Sequence, residues 1–257
     1  MSHSADLAFA FHLADLAASL TLPEFGDRHP VTHKADDTPV TEVDRAVEGV
    51  IRAAVHDAFP DDGVLGEEEG LLAGTSGRVW VVDPIDGTRM FAEGIPTWTT
   101  LIGLRHPSGV TVGVADAPAM NERAWAVRGE GAWVGGRRLH VSGVDSLADA
   151  FVLHASLEEF VREDEVHGLL HLVRSARGSR GMGDAWGHLL VARGAAEVVV
   201  ESSACFEWDW AATSVIIEEA GGSVSRREGG PPTPGCRLLV SNGRIDGEVR
   251  AAFGSSA

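Results

Sequence analysis

Three separated acidic motifs carry the side chains of this sequence that could act together chemically: Gly66–Glu68, Asp83–Thr88 and Trp208–Ala212. Each motif places a carboxylate beside a turn or at the start of a helix. Closely spaced carboxylates cannot all ionise at low cost unless a cation lies between them. Hard oxygen donors without sulfur or clustered histidine suit Mg²⁺, which keeps several waters and accepts phosphate oxygens. The motifs therefore predict a magnesium centre that could take phosphate oxygens as further ligands.

The central motif follows an apolar run that predicts a buried strand ending at Asp83. Pro84 enforces an extended break and Gly87 permits a tight turn, so Asp86 is expected to come round beside Asp83. The motif itself contains no Lys or Arg, and only Arg89 follows it. Bound cations, rather than a guanidinium clamp, are therefore expected to meet the phosphate.

Each motif also has a purely structural interpretation. Asp, Pro and Gly are turn formers, so the central motif alone would fit a surface turn, although the apolar strand before it weakens that interpretation. Glu67–Glu69 fits a solvated acidic run. Asp209 fits a carboxylate that stabilises a helix N-terminus. Asp44 fits a capping-box-like helix start at Thr41, and for this residue the structural and functional interpretations both stay open.

Composition and charge limit the class of protein. The 257 residues include 38 acidic and 21 basic side chains, a net charge of -17, which disfavours contact with a nucleic-acid backbone. The two cysteines, Cys205 and Cys236, have no metal-site or disulfide-scaffold spacing. No export signal or uninterrupted membrane-spanning run is evident, so a cytoplasmic protein without membrane or nucleic-acid partners is expected.

The hydrophobic pattern outlines the elements that must bring the motifs together. Residues 1–20 and Thr41–Phe59 have the spacing of amphipathic helices. The central strand and the β-rich runs after it predict a meander: Val79–Val82, Thr99–Leu104, Val110–Ala115, Ala124–Val127 and Ala132–Val141. The rest of the chain mixes strands and helices. The predicted strands are Phe151–His154, Ala196–Glu201 and Leu238–Val240. The predicted helices are Leu157–Val173, Ala185–Arg193, Trp210–Ala220 and Ile245–Phe253.

This pattern predicts one compact unit of the α+β or α/β class with two halves. The N-terminal half, residues 1–143, would carry most of the metal ligands. The C-terminal half, residues 144–257, would carry Asp209 and the residues that set substrate specificity.

Taken together, the motifs resemble the inositol monophosphatase superfamily over nearly the whole chain. The resemblance rests on GEE at residue 66, DPIDGT at residue 83, and WDxAA at residue 208 before a helix that ends EAGG. It implies a layered α-β-α-β-α sandwich, usually assembled as a homodimer, with two or three Mg²⁺ ions. The ligands that it implies are Glu67, Asp83, the carbonyl of Ile85, Asp86 and Asp209.

The resemblance also implies roles in the reaction. Glu67 and Thr88 would orient the attacking water, Asp44 would lie behind Thr88 as an acceptor, and the N–H groups of Gly87 and Thr88 would hold phosphate oxygens. We expect direct in-line attack on phosphorus by a metal-activated water, without a phosphoenzyme. An aspartyl nucleophile in an Asp-x-Asp motif is disfavoured, because the two aspartates here are three residues apart and do not share a strand face.

Within the superfamily, three segments resemble the histidinol-phosphatases of actinobacteria: Lys34–Thr41, Pro96–Ile102 and Arg180–Trp186. This likeness implies histidinol phosphate as the small-molecule substrate. An imidazole-bearing cation would suit aromatic faces and acids. The implied contacts are Asp86, Trp98, Asp184, Trp186, Glu201 and Asp209.

The stretch from Glu201 to Glu207 departs from that branch in length and in its residues. A substrate-contacting acid is expected there, and both Glu201 and Glu207 are candidates. Inositol phosphates and other sugar or nucleotide monoesters are alternative substrates. A non-catalytic binding protein on the same scaffold is an alternative of a different class.

Overall fold

The computed structural model describes residues 3–26, 32–33, 39–40 and 42–254. Its contacts divide the chain into two compact units: Met1–Gly136 with Trp208–Ile216, and Arg137–Glu207 with Ile217–Ala257. The sequence-based division after residue 143 put Asp209 in the C-terminal half. The contacts group Asp209 with the first unit instead, because the helix that carries it packs on that unit's sheet.

Within the described residues the chain forms eight α-helices and fifteen β-strands. The helices are α1 (His3–Glu24), α2 (Glu42–Ala58), α3 (Thr88–Ala92), α4 (Leu157–Arg162), α5 (Val166–Ser175), α6 (Asp184–Ala192), α7 (Glu207–Glu219) and α8 (Asp246–Gly254). The strands are β1 (Thr32–His33), β2 (Pro39–Val40), β3 (Gly63–Gly66), β4 (Gly70–Leu72), β5 (Val79–Asp86), β6 (Thr99–His106), β7 (Gly109–Ala117), β8 (Glu122–Val127), β9 (Gly131–Val134), β10 (Arg137–Arg138), β11 (Phe151–His154), β12 (Gly178–Gly181), β13 (Val198–Val200), β14 (Ser223–Arg226) and β15 (Leu238–Ser241).

An eight-stranded sheet forms the centre of the first unit, in the order β10-β9-β8-β7-β6-β5-β3-β4. From β5 to β9 neighbouring strands run antiparallel, as the predicted meander requires, whereas β3 lies parallel to β5. Helices α1 and α2 cover one face. The buried strand residues of that face pack against them: Val64, Trp80, Val82, Ile102, Leu104, Val112, Val114 and Val127.

The opposite face of this sheet receives the first part of α7. Successive side chains of a strand point to opposite faces, so Gly103 and Gly113 face away from α1 and α2. These two glycines are register partners on β6 and β7. A Cβ at Gly103 would lie 3.2 Å from the Cβ of Ala211, and one at Gly113 would lie 2.2 Å from the carbonyl oxygen of Ala212. Because neither glycine has a side chain, Ala211 and Ala212 of the third acidic motif can pack directly on the sheet.

Helix α1 is one of the two helices that pack on the sheet of the first unit. By length and composition its residues Ala5–Glu24 could also span a membrane. Two of its aspartates pair with arginines, Asp6 with Arg78 and Asp15 with Arg123, at N···O distances of 2.9 and 2.8 Å. One face of the helix is fully buried in the core through Ala10, Leu13, Ala14 and Ala17.

The second unit is built on a five-stranded sheet in the order β12-β11-β13-β15-β14. Strand β11 runs parallel to β12 and β13, and β15 runs antiparallel to β13 and β14. Helices α5 and α8 pack on one face of this sheet through a core that includes Val152, Leu172, Val198, Val200, Leu239 and Val249. Helix α6 contacts β13 and β15.

Several features of this fold differ from the sequence-based prediction, among them the predicted strand Ala132–Val141, which is β9 and the short β10. The predicted helix over Leu157–Val173 is two helices, α4 and α5, because Asp164 between them adopts a left-handed φ of 58°. The N-terminal helix continues past residue 20 to Glu24. Short strands β3, β4, β12 and β14 were not predicted, since stretches as brief and glycine-rich as Gly178–Gly181 lack a β-branched alternating pattern.

Candidate active site

The central motif forms a bulge at the end of β5. Asp83 pairs with Leu101 and Asp86 pairs with Thr99, so three steps on β5 match two steps on β6. The backbone N–H of Ile85 donates to Asp83 Oδ1 at 3.1 Å, and the Thr100 hydroxyl donates to the carbonyl of Pro84 at 2.8 Å. The bulge brings both aspartates to one end of the strand, as the Asp-Pro and Asp-Gly pairs predict.

The chain then turns directly into a short helix. Gly87 has a left-handed φ of 81°, which glycine adopts without steric cost, and α3 begins at Thr88. The Thr88 hydroxyl lies 3.0 Å from the carbonyl oxygen of Ile85 and 3.3 Å from Oδ1 of Asp44. Asp44 is fully buried in the first turn of α2. Asp44 therefore lies within hydrogen-bond distance of the Thr88 hydroxyl.

Asp83 lies at the centre of a cluster of acids. Its side chain is buried, and this burial is the largest cause of a pKa well above the usual range. Repulsion from the neighbouring acids raises the pKa further, and these acids are Glu67, Asp86, Asp209 and Asp44. These neighbours come from residues 44 to 209, so the fold brings distant acids together. Sheet geometry explains the arrangement, because Asp83 pairs with Leu101 and shares the face of Gly103, on which α7 sits.

The chemistry of these donors fits a hard divalent cation. The charged neighbours of Asp83 are the carboxylates of Glu67, Asp86, Asp209 and Asp44, and carboxylate oxygens are donors that Mg²⁺ prefers. Among the described residues, no three His, Cys, Asp or Glu side chains lie close enough together to share one ion. Mg²⁺ is usually held by only one or two carboxylates, with waters and substrate oxygens completing its shell. The acids therefore fit a centre in which each ion takes few protein ligands.

Glu67 lies in the turn between β3 and β4, two strands that the sequence pattern did not reveal. Their pairing joins Gly66 to Gly70 across the turn. This turn is bonded to Glu48 of α2, whose carboxylate accepts the N–H groups of Glu68 and Glu69. The sequence analysis missed Glu48. The only feature of the sequence that could have indicated Glu48 is the position of a glutamate on the apolar face of an amphipathic helix, four residues before Arg52.

The two tryptophans predicted to offer faces to the substrate are enclosed in this structure. Trp98 has no exposed surface and packs edge to face against Phe91, with ring centroids 5.1 Å apart. Trp186 is buried, and the Arg193 guanidinium covers its ring at 5.2 Å. Both rings are buried in this structure, and their contact with a substrate stays a prediction.

Asp184 and Glu201 lie together in the second unit. The backbone N–H of Asp184, the first residue of α6, donates to Oε1 of Glu201 at 3.1 Å. A Cβ at Gly183 would approach the Glu201 carboxylate to 3.1 Å. Glu201 is buried, whereas Glu207 is partly exposed at the start of α7. Both acids stay candidates for substrate contact. Of the segment Lys34–Thr41 the structure describes only the backbone of β2.

His188 on α6 makes folding sensitive to acid. Burial lowers its pKa from 6.5 to about 4. Between pH 6.5 and pH 4 His188 is protonated in the unfolded chain and neutral in the folded chain. The stability that the neutral His188 contributes to the fold is therefore present above pH 6.5 and is lost towards pH 4. We expect His188→Leu to reduce the fall in unfolding free energy over this range by about 3 kcal/mol, measured by urea titration. The exposed His171 provides the control as His171→Gln, and an unchanged pH dependence in His188→Leu would contradict the assignment.

Comparison with known proteins extends the likeness to the whole chain. The model of the inositol monophosphatase family matches residues 3–255. The chain is 39% identical over 254 residues to a histidinol-phosphatase of Streptomyces coelicolor, with 95% of each chain covered. It is 42% identical over 252 residues to a histidinol-phosphatase of Chlorobaculum parvum, with 97% of each covered. An inositol monophosphatase structure from Zymomonas mobilis matches with a TM-score of 0.86 at 29% identity, over 99% of both chains. The predicted fold class is confirmed.

Proposed function

The chain is a phosphoric monoester hydrolase that belongs to the inositol monophosphatase family, and we propose that its cofactor is Mg²⁺ and its substrate is histidinol phosphate. The observation that carries the cofactor proposal is the cluster of acids that the fold brings around the buried Asp83, which are Glu67, Asp86, Asp209 and Asp44. A fold that gathers so many acids around one buried carboxylate gains from a cation there.

We assign the ligands from the acids and carbonyls around the bulge. Carboxylates of Glu67, Asp83, Asp86 and Asp209 and the carbonyl of Ile85 would hold two or three ions. The Thr99 hydroxyl, which donates to Asp86 at 3.1 Å, orients one of these carboxylates. When bound, Mg²⁺ supplies a Lewis acid that polarises the phosphate and lowers the pKa of the attacking water.

The remaining groups of the first unit would orient the reactants. Glu67 and the Thr88 hydroxyl position the attacking water. The Thr88 hydroxyl donates a hydrogen bond to Asp44, which leaves its oxygen lone pairs directed at the water. The backbone N–H groups of Gly87 and Thr88 hold phosphate oxygens. Each of these assignments concerns the phosphate end of the substrate and would serve any small monoester.

The organic part of the substrate is assigned from the relatives. Two relatives at 39% and 42% identity are named histidinol-phosphatases. Histidinol phosphate carries an ammonium group and an imidazole, and acids bind such cations by charge-assisted hydrogen bonds. Asp184, Trp186 and Glu201 are the side chains of the second unit that we propose for this recognition. A homodimer in the cytoplasm completes the proposal.

A panel of phosphate monoesters, assayed with and without Mg²⁺, tests the function. We expect kcat/KM for histidinol phosphate to exceed that for inositol 1-phosphate by at least about a hundredfold, or roughly 3 kcal/mol. EDTA should abolish turnover and excess Mg²⁺ should restore it. A preference for inositol phosphate would refute the proposed substrate, turnover that persists in EDTA would refute the cofactor, and silence on every ester would favour a binding protein.

A further inference from the structure

Glu48 on α2 is bonded to the turn that carries Glu67. Its side chain is fully buried. One carboxylate oxygen accepts the backbone N–H of Glu68 at 2.7 Å, and the other accepts the N–H of Glu69 at 3.0 Å. Two consecutive N–H groups on one carboxylate fix the backbone on the C-terminal side of Glu67, because each bond constrains a peptide plane.

Arg52, one helical turn further along α2, completes the contact. Its Nε donates to Oε1 of Glu48 at 2.8 Å, and its guanidinium donates to the carbonyl of Gly70. Glu48 thus binds the N–H groups of the turn and Arg52 binds the carbonyl at its end. The arginine also offsets the cost of burying the Glu48 charge.

Gly66 is required for this contact by the space available, not by its backbone conformation. A Cβ at Gly66 would lie 2.3 Å from the carboxyl carbon of Glu48. Real Cβ atoms do not come so close, so any larger residue would push the turn and the glutamate apart. The glycine of the first acidic motif and Glu48 therefore form one structural unit.

We propose that Glu48 is a positioning residue that preorganises Glu67 for the divalent cation, a role that rests on the proposed function of Glu67. The backbone of the turn sets the direction of the Glu67 side chain, and Glu67 already interacts with Asp83 electrostatically. Residues that orient metal ligands typically change metal affinity by about 10- to 100-fold when they are replaced.

The substitution Glu48→Gln tests the role with a change of nearly equal size. Its amide nitrogen would face either a turn N–H or Arg52, so donor would oppose donor. We expect Mn²⁺, used as an electron paramagnetic resonance probe of the Mg²⁺ centre, to bind at least about tenfold more weakly. kcat should fall in proportion, with KM for the ester changed less than about threefold. Unchanged Mn²⁺ affinity would overturn the proposal.

A matched control separates positioning from general destabilisation. Asp6 on α1 is also a buried carboxylate paired with an arginine, but its partner Arg78 lies just before the start of β5, away from Asp83 at the other end. Asp6→Asn should lower the melting temperature and leave Mn²⁺ affinity unchanged. Equal losses of affinity in Asp6→Asn and Glu48→Gln would assign the effect to stability and refute a positioning role.

A double-variant cycle tests whether Glu48 acts through Glu67. In a Glu67→Gln background, Glu48→Gln should cause no further loss of Mn²⁺ affinity, whereas fully additive losses would contradict the proposal. If Glu48→Gln does not fold, Gly66→Ala disturbs the same contact without removing a charge and should weaken Mn²⁺ binding similarly. An ester panel that stays silent while these Mn²⁺ effects appear would refute the proposed function and leave the Glu48 role standing.

Discussion

Asp83→Asn should abolish phosphatase turnover and at the same time stabilise the cation-free protein. Asp83 is buried among Glu67, Asp86, Asp209 and Asp44. Removing its charge removes a ligand of the cation, and we expect kcat/KM to fall by about a thousandfold or more, roughly 4 kcal/mol. An asparagine keeps the size and can still accept the N–H of Ile85, so the bulge should persist.

The stability half of this prediction follows from the sign of the pKa shift. A raised aspartate pKa means that the folded chain holds the proton more tightly than the unfolded chain. This contribution is complete below the ordinary aspartate pKa of about 4 and is lost as the pH rises through the folded value. In EDTA at pH 7, Asp83→Asn should therefore melt at a higher temperature than the wild type, and the difference should shrink towards pH 4.

Asp116 provides the matched control for this experiment. It is also buried, and burial raises its pKa, but Arg123 donates to it at 2.8 Å and opposes that shift. The pKa of Asp116 is raised overall, so by the same sign Asp116→Asn should melt no lower than the wild type at pH 7, while its turnover stays within about tenfold of the wild type. If Asp83→Asn retained near-normal turnover, or melted lower than the wild type in EDTA, the cation centre would be wrongly placed.

The parts of the site that could be predicted from the sequence are those that local chemistry determines. Pro84 and Gly87 restrict their own backbone, so the break after Asp83 and the turn before Thr88 can be inferred without tertiary information. The structure has both. The grouping of Asp209 with these residues came from the resemblance, since no local pattern connects positions 83 and 209. The fold class followed from the same likeness.

The parts that could not be predicted depend on contacts between distant residues. Glu48 and the turn at Glu68 are 20 residues apart, and nothing in an amphipathic helix pattern reveals what a buried glutamate meets. Trp98 packs against Phe25, which is far away in the sequence, and against Phe91, which is near. No regular spacing in the sequence connects the three rings. A tryptophan beside a predicted strand is compatible with a pocket wall or with the core, and only packing decides between them.

The contact of α7 with the sheet of the first unit depends on Gly113. Gly113→Val should both destabilise the first unit and remove most phosphatase activity. A Cβ at Gly113 would lie 2.2 Å from the carbonyl oxygen of Ala212 and 2.5 Å from Val215 Cγ1. Overpacking of this kind costs about 1–3 kcal/mol, so the melting temperature should fall by several degrees. The helix can relieve the overlap only by moving off the sheet, and Asp209 moves with it.

The same chemical change elsewhere separates the two consequences of Gly113→Val. A Cβ at Gly143 would have nothing within 4 Å, so Gly143→Val should leave both melting temperature and turnover near the wild-type values. If the displacement of Asp209 is the cause, Gly113→Val should bind Mn²⁺ more weakly even at temperatures where it remains fully folded. A folded Gly113→Val protein with wild-type Mn²⁺ affinity would mean that the position of Asp209 does not depend on the packing of α7 against Gly113. The glycine pair would then serve packing alone.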